Sequence, residues 1–192
     1  MGLWETHMSI QGAARADRLN SVETGDHILA IYQNKEDEFS EAFQYLKDGL
    51  EKDETVMIIT NHLSYDEILR RMEKEWKINA EEFEKNGIIE IRTTNQWFFH
   101  HGFPDPNKFI PFWFAVTKMA LMKRRKGCRV FVDTARFFEQ GYSNEFISYE
   151  SALDNKFNIR LTLLCAYQSK DIRRFTKQQL GALHRHHNVV WV

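Results

Sequence analysis

Residues 27–39 read HILAIYQNKEDEF, an apolar run followed by a polar turn and the start of an amphipathic segment. The run His27–Tyr32 is continuous rather than alternating, which is typical of a strand covered on both faces. Phe39, Phe43 and Leu46 then recur at helical spacing. The stretch therefore predicts a strand, a tight turn and a helix.

The same alternation continues along the chain. Further apolar runs lie at residues 55–60, 88–93, 129–134, 160–167 and 189–192. Helical patterns separate them, with a capping box at Ser64-x-x-Glu67 and further helices expected at 108–126, 144–157 and 170–184. Strands that alternate with helices predict an α/β fold with a mainly parallel sheet of about six strands and helices on both faces.

The first strand-to-helix turn does not have the composition of a phosphate-binding loop. It contains no glycine, and Glu36, Asp37 and Glu38 place three carboxylates in the first helical turn. A bound phosphate would meet like charge at that helix N-terminus. The chain also has no G-x-G-x-x-G and no G-x-S-x-G motif. We therefore expect no P-loop ATP hydrolysis and no catalytic residues.

Composition indicates one globular domain. The chain has 192 residues, 43% of them hydrophobic, and 26 Lys+Arg against 27 Asp+Glu give a net charge of -1. This balance excludes a disordered chain and gives no signal for nucleic acid or an anionic membrane surface. Residues 1–24 are polar and weakly patterned, so we expect an N-terminal arm there and the domain at 25–192.

Cysteine usage and hydropathy indicate the compartment. Cys128 and Cys165 both lie in apolar runs without a C-x-x-C partner, which excludes a disulfide framework and a zinc ribbon. No apolar stretch reaches the roughly 18 residues needed to span a bilayer. The sequence therefore favours a reducing cytoplasm.

Aromatic residues are concentrated around the prolines. Residues 97–114 contain six Phe, two Trp and all three prolines. We expect the one real loop at residues 97–103 and the adjoining prolines, where the chain leads into the helix expected from about residue 108. Its rings either plug the end of the core or form a lid over an apolar ligand. The lid would consist of Trp97, Phe98, Phe99 and Phe103.

Ligands of parallel α/β sheets bind at the carboxyl ends of the strands. The candidates at those ends are Tyr32, Thr60, Asp133, Arg136, Cys165 and Tyr167. Asp133 ends an apolar run, where nucleotide-binding folds hold a metal-coordinating acid. It is equally suited to capping the next segment or pairing with Arg136.

Glu150 interrupts the apolar stripe of the helix predicted at 144–157. Its neighbours on that face are Phe146, Tyr149, Leu153 and Phe157. A carboxylate in such a stripe must be hydrogen-bonded, paired or neutral. We therefore expect Glu150 to be a buried acid that anchors a loop or a ligand.

The histidines do not predict a metal site. His27 opens the first strand and His187 precedes the last, so both belong to the amino-terminal edge of the sheet. Cys165 is expected toward the opposite edge, about 20 Å away for six strand residues. His27 and His187 alone offer two ligands, and a buried histidine pair is the expected arrangement.

Several of these motifs occur in an order that resembles the MEDS family, the sensory domain named for methanogens, methylotrophs and a dichloromethane-responsive regulator. The resemblance covers about residues 25–192. It rests on Gly25-Asp26-His27-Ile28, Tyr32 with the acidic turn, Asp48-Gly49-Leu50, Arg129-Val130, Tyr149-Glu150, Leu164-Cys165-Ala166-Tyr167 and His187-Asn188-Val189-Val190.

The resemblance implies a prokaryotic, cytoplasmic sensor with a three-layer RecA-like or KaiC-like core that has no functional P-loop. It implies a small, hydrocarbon-like ligand, no catalysis and no cofactor. The family positions carried over are His27, Glu150, Cys165, Tyr167 and His187. This chain departs from the family pattern at Leu29, where relatives often have Cys, at Asn188, where they often have Pro, and at Gln168, where an acid often follows the Tyr.

Three functions remain open from the sequence. The first is a stand-alone sensory domain that binds a small ligand and signals through a regulatory partner or a homo-oligomer, since no DNA-binding or kinase module is attached. The second is a degenerate ATPase-fold interaction module. The third is a metalloprotein or enzyme that uses His27, His187 or Cys165.

Overall fold

The computed structural model describes residues 17–99 and 106–192. Six parallel strands form one sheet in the order β3-β2-β4-β5-β1-β6. Each strand lies within one residue of its predicted bounds at both ends, so the predicted sheet is confirmed. The strands are β1 His27–Tyr32, β2 Thr55–Ile59, β3 Ile89–Arg92, β4 Cys128–Asp133, β5 Leu161–Gln168 and β6 Val189–Trp191.

Nine helices connect the strands in the described part of the chain. Two of the helices begin where the sequence predicted. The Asn34 side chain caps the first helix, and Ser64 with Glu67 forms a capping box before the second. The helices are α1 Lys35–Glu51, α2 Tyr65–Trp76, α3 Ala80–Lys85, α4 Thr94–Phe98, α5 Pro106–Met122, α6 Ala135–Glu139, α7 Ser143–Glu150, α8 Ser169–Ile172 and α9 Lys177–Arg185.

Hydrophobic side chains cover both faces of the sheet. On one face, residues such as Ile28 and Phe131 pack against α1 and α2. On the other, residues such as Val130 and Leu163 pack against α4–α7 and α9. This arrangement confirms helices on both faces and explains why the strands read as continuous apolar runs.

Capping boxes mark two helix starts that the periodicity did not predict. A Thr93/Gln96 capping box starts α4, which runs to Phe98, and α5 begins at Pro106. Both ends of the segment expected to be a loop are therefore helical, and that prediction is wrong there. A Thr176/Gln179 capping box divides the helix expected at 170–184 into α8 and α9. Helix α7 ends at residue 150 rather than 157.

Two side chains of the expected arm belong to the domain core. Leu19 and Val22 are buried against the α1 face of the sheet. Among the described residues, no helix is both long and apolar enough to cross a bilayer.

Candidate functional site

Four buried side chains with metal-binding chemistry meet on the α7 face of β1 and β5. They are His27, Glu150, Cys165 and His187, called here the His–Glu–Cys cluster, and their ligand atoms all lie within 4.8 Å of one another. The cluster draws on the first residue of β1, the last residue of α7, the middle of β5 and the residue before Asn188, which precedes β6. Four distant segments of the chain therefore converge on one point.

Glu150 is the centre of the cluster. Its Oε2 atom lies 3.3 Å from His27 Nε2 and 3.1 Å from His187 Nε2. Cys165 Sγ lies 3.7 Å from the other carboxylate oxygen and 3.8 Å from His27 Nε2. The side chain of Glu150 is 1% exposed, as the interrupted stripe predicted.

Backbone carbonyls orient both imidazoles. The Nδ1 atom of His27 lies 3.1 Å from the carbonyl oxygen of Asp154, and Nδ1 of His187 lies 2.7 Å from that of Leu183. Because a carbonyl oxygen only accepts hydrogen bonds, each Nδ1 carries a proton and donates it. In neutral rings, both Nε2 lone pairs then face Glu150.

The electrostatics favour an anionic carboxylate beside a neutral ring. Burial raises the pKa of Glu150, but hydrogen bonds and positive charge from imidazoles that carry an Nε2 proton outweigh it and lower that pKa from 4.5 to about 2. Burial, with the charge of His187, lowers the pKa of His27 although Glu150 acts to raise it. Burial, with the charge of Glu150, raises the pKa of the Cys165 thiol.

The expected separation of Cys165 from the histidines is wrong. His27 pairs in register with Leu163, so Cys165 lies only two residues further along the neighbouring strand. Strand β5 has eight residues and extends beyond β1, which places Cys165 near its middle. Side chains two residues apart share a face, and the thiol therefore points to the same side as His27.

Asn188 positions the cluster, and the sequence reasoning noted it only as a departure from the family. Its Oδ1 accepts a hydrogen bond from the backbone N–H of His27 at 2.8 Å, and its Nδ2 donates to Asp26 at 2.7 Å. The asparagine thereby ties the start of β6 to the start of β1.

A second polar group lies at the carboxyl ends of the strands, where Thr60 and Asp133 were expected. Lys35 Nζ donates to Asp133 Oδ1 at 2.7 Å and to Glu38 Oε1 at 2.9 Å. Thr60 donates to Asp133 at 2.8 Å, and Gln168 donates to Glu38. The protein's own ammonium group and carboxylates thus neutralise one another at the start of α1.

The remaining candidates of that edge lie apart from this group. Tyr32 packs in the core on the α1 face. Arg136 contacts Glu139 and Asn95, so the alternative in which it pairs with Asp133 is wrong. Asp133 instead accepts from the backbone N–H of Ala135 as well as from Lys35.

An open cleft of about 580 Å³ lies beside the start of α1. Lys35 and Arg71 bring positive charge to it, and Glu36 and Asp37 bring negative charge. Two of the three acidic residues in the first turn of α1 therefore line a cleft, and that cleft is of mixed charge.

Replacing Glu38 by glutamine should reduce the pH dependence of stability. Burial, and then the charge of Asp133, raise the pKa of Glu38 from 4.5 to about 7. The folded protein thus holds a proton that the unfolded chain releases. The contribution of protonated Glu38 to the free energy of unfolding is therefore present below the unfolded pKa and is lost as the pH rises through about 7. The change in the pKa of Glu38 corresponds to at most about 3 kcal/mol in the free energy of unfolding.

Urea unfolding at pH values of about 5 and 8 measures this effect across the titration of Glu38. The wild type should lose more stability between the two values than Glu38→Gln does. Glu36→Gln is the control, because Glu36 is exposed in the same helical turn. Equal losses in the wild type and Glu38→Gln would contradict the prediction.

The aromatic residues form a packed wall against the α7 face of the sheet. Phe98 is fully buried and contacts the rings of Phe109 and Phe137 at 5.4 and 5.0 Å. Trp113 is also buried, and its Nε1 donates to the hydroxyl of Tyr149 at 2.6 Å. These rings belong to the core.

The four residues expected to form a lid are placed differently. Trp97 and Phe99 are half-buried on the same wall as Phe98. Phe103 lies outside the described residues. A lid function of these residues stays a prediction.

Comparisons with known proteins agree with this architecture. The family model "MEDS: MEthanogen/methylotroph, DcmR Sensory domain" matches residues 26–188. A search of curated protein sequences finds no significant match. Among solved structures, the chain is similar to flagellar accessory protein FlaH from Methanocaldococcus jannaschii, with a TM-score of 0.52 and 8% identity over 91% of this chain and 74% of that one. At this identity the likeness concerns the fold, which is RecA-like.

Proposed function

The chain belongs to the MEDS family of sensory domains, and on this premise we propose that it receives its signal by binding a small apolar molecule without transforming it. We also propose a cytoplasmic location, because two buried free cysteines suit a reducing compartment. The output would pass to a regulatory protein or to a second copy of the chain.

The N-terminus of α1 is unsuited to a nucleotide phosphate, which supports a sensor that does not hydrolyse nucleotides. The Asn34 side chain accepts a hydrogen bond from the N–H of Asp37 and occupies the helix N-terminus. Lys35, the cation nearest to this terminus, is held by Glu38 and Asp133. A phosphate would have to displace these groups and would meet an acidic first turn.

The hydroxyl of Tyr167 carries the proposal. Tyr167 is fully buried on the aromatic wall, where its ring lies 6.1 Å from those of Phe138 and Phe146. Its oxygen has no hydrogen-bond partner in the part of the chain that the structure describes. A buried hydroxyl without a partner costs about 1–3 kcal/mol. A ligand that supplied the partner would recover this energy.

The surroundings define the chemistry of such a ligand. Aromatic rings favour an apolar body, and the single hydroxyl favours one polar atom that donates or accepts a hydrogen bond. Short-chain alcohols and ketones have this combination, and halogenated alkanes offer an apolar body with a much weaker acceptor. These classes agree with the hydrocarbon-like ligand that the family resemblance implies.

Tyr167→Phe should separate ligand binding from folding. The variant should be at least as stable as the wild type without ligand, because it removes only an unpaired hydroxyl. Thermal unfolding in the presence of the three compound classes measures the response. A compound at about 100 times its Kd should stabilise the wild type by about 2.7 kcal/mol and should stabilise Tyr167→Phe by less.

Tyr45→Phe is the matched control. The hydroxyl of Tyr45 is also buried, but it donates to the carbonyl of Thr162 at 3.2 Å. The free energy of unfolding of this variant should be about 1 kcal/mol lower than that of the wild type, and its response to ligand should be unchanged. An unchanged melting temperature of the wild type with all three classes, or an equal response in Tyr167→Phe, would contradict the proposed site.

A second candidate function, self-association, is favoured by the outer surface of α5. Phe112, Ala115, Met119 and Met122 are exposed and follow one another at spacings of three, four and three residues. Met119 is 51% exposed and Met122 is 75% exposed. Apolar residues at this spacing form the seam between paired helices, so we propose a second copy of the chain as the partner. Light scattering over a range of concentrations tests this, and a monomer at all of them would contradict it.

A further inference from the structure

The His–Glu–Cys cluster has an unusual composition for a buried site. It combines two imidazoles, a carboxylate and a thiol, and all four residues are buried. We propose that this cluster binds one Zn²⁺-class transition-metal ion through the Nε2 atoms of both histidines, a carboxylate oxygen of Glu150 and the Sγ atom of Cys165. The proposal does not depend on the small-molecule site at Tyr167, and either can fail alone.

The spacing of the ligand atoms fits a tetrahedral ion. Zinc bonds of about 2.0–2.1 Å to nitrogen and oxygen and about 2.3 Å to sulfur require edges of about 3.3 Å between N and O atoms and about 3.6 Å to sulfur. The Glu150 Oε2 contacts to the two Nε2 atoms measure 3.3 and 3.1 Å. The Cys165 Sγ contacts measure 3.7 and 3.8 Å. The 3.7 Å contact of Cys165 Sγ is to the other oxygen of Glu150, and all pairs of ligand atoms lie within 4.8 Å. The atoms would therefore draw together by up to about 1.5 Å to hold the ion.

Both imidazoles are oriented as metal ligands are. Each donates its Nδ1 proton to a backbone carbonyl, those of Asp154 and Leu183, and presents the Nε2 lone pair to the cluster. Carbonyl acceptors of this kind fix the tautomer and ring orientation of metal-bound histidines.

The centre of the cluster needs positive charge. Two lone pairs and a carboxylate oxygen converge there, and neither Glu150 Oε2 nor His187 Nε2 has a hydrogen-bond partner among the described residues. Both Nε2 atoms nevertheless lie within 3.3 Å of that oxygen. Acceptors this close in a dry core repel one another unless a cation or a proton lies between them.

A divalent ion would balance the charge completely. Binding converts the Cys165 thiol to a thiolate and releases one proton to solvent. The thiolate and the Glu150 carboxylate then contribute two negative charges, and the neutral imidazoles contribute none. A site with zero net charge is the state that a low-dielectric interior favours.

The site is closed, which indicates what the ion would do. Four protein ligands fill a tetrahedral zinc ion and leave no position for water or substrate. The ligands come from β1, α7, β5 and the segment before β6, so the ion would join the two ends of the domain's sequence. We infer a stabilising or metal-responsive role rather than a hydrolytic one.

Cobalt binding to the full-length, reduced protein tests the proposal. Co²⁺ replaces Zn²⁺ in tetrahedral sites and reports its own ligands: intense visible absorption indicates tetrahedral geometry, and near-ultraviolet charge transfer indicates a thiolate. The wild type should bind one Co²⁺ per chain with both signals, and one equivalent of Zn²⁺ should abolish both. Folding is checked by circular dichroism.

Matched variants locate the site. Cys165→Ala should lose the charge-transfer band, and Cys128→Ala should keep it, because Cys128 is buried in the same sheet outside the cluster. His187→Gln should lower Co²⁺ affinity at least tenfold, and His184→Gln, on the exposed side of α9, should not.

Three results would overturn the proposal. They are a folded wild type that binds neither Co²⁺ nor Zn²⁺ in stoichiometric amount, a Co²⁺ spectrum without the thiolate band, and a thiolate band that persists in Cys165→Ala. The first would mean that a proton on an imidazole rather than a metal ion lies between Glu150 and the histidines. If Cys165→Ala does not fold, the wild type and Cys128→Ala spectra still decide the question.

Discussion

Replacing Arg129 by alanine is expected to lower the free energy of unfolding by about 3–5 kcal/mol, the range for breaking a buried ion pair. Arg129 is 1% exposed, and its guanidinium donates to Glu54 Oε2 at 2.6 Å and to Asp48 Oδ2 at 2.5 Å. Alanine would leave the buried Glu54 carboxylate without its cation. Urea unfolding followed by circular dichroism measures the loss.

A double variant shows whether the unpaired carboxylate causes the loss. Arg129→Met with Glu54→Leu removes both charges and keeps an apolar volume, so it should recover most of the stability lost in Arg129→Ala. Asp48 stays partly solvated and tolerates the change. A double variant as unstable as Arg129→Ala would contradict this explanation.

This network also explains two of the short motifs that resemble the family. A Cβ atom on Gly49 would lie 2.7 Å from Arg129 Cδ and 3.0 Å from Glu54 Oε2. The glycine of Asp48-Gly49-Leu50 therefore makes room for the arginine of Arg129-Val130. These two motifs build the fold and do not contribute to either proposed site.

The sheet could be predicted because its strands are buried on both faces. Continuous apolar runs between polar turns predicted each strand to within one residue, and no sequence motif was needed. The short helices α3, α4 and α6 were missed because five or six residues are too few for a period. Only the Thr93-x-x-Gln96 capping signature could have revealed α4.

The candidate sites were predicted in part, because sequence does not give the register between strands. Glu150 was expected to be buried because one carboxylate interrupts an apolar stripe, and the structure buries it. Its partners could not be found, since the proximity of Cys165 to His27 depends on how far β5 extends beyond β1. Lys35 was missed for a related reason: next to three acids it resembles a solvated surface residue, and only the position of Asp133 shows otherwise.

Trp113→Ala is expected to cause a loss as large as that of Arg129→Ala, about 3–5 kcal/mol, because it removes a large ring from the aromatic wall. Trp113 is 2% exposed and contacts Phe98 at 6.4 Å and Trp97 at 5.3 Å. The change also leaves the buried hydroxyl of Tyr149 without its donor. In a chain of this size, thermal unfolding should show a fall of about 10 °C in Tm.

Two further variants separate packing from hydrogen bonding in this effect. Tyr149→Phe keeps both rings but leaves Trp113 Nε1 without an acceptor, so it should cost about 1–3 kcal/mol. Phe112→Ala removes a 47% exposed ring from the same helix and should cost less than about 1 kcal/mol. If Trp113→Ala were no more harmful than Phe112→Ala, the wall could not be the packed core that holds Tyr149, and with it the adjacent Glu150, in place.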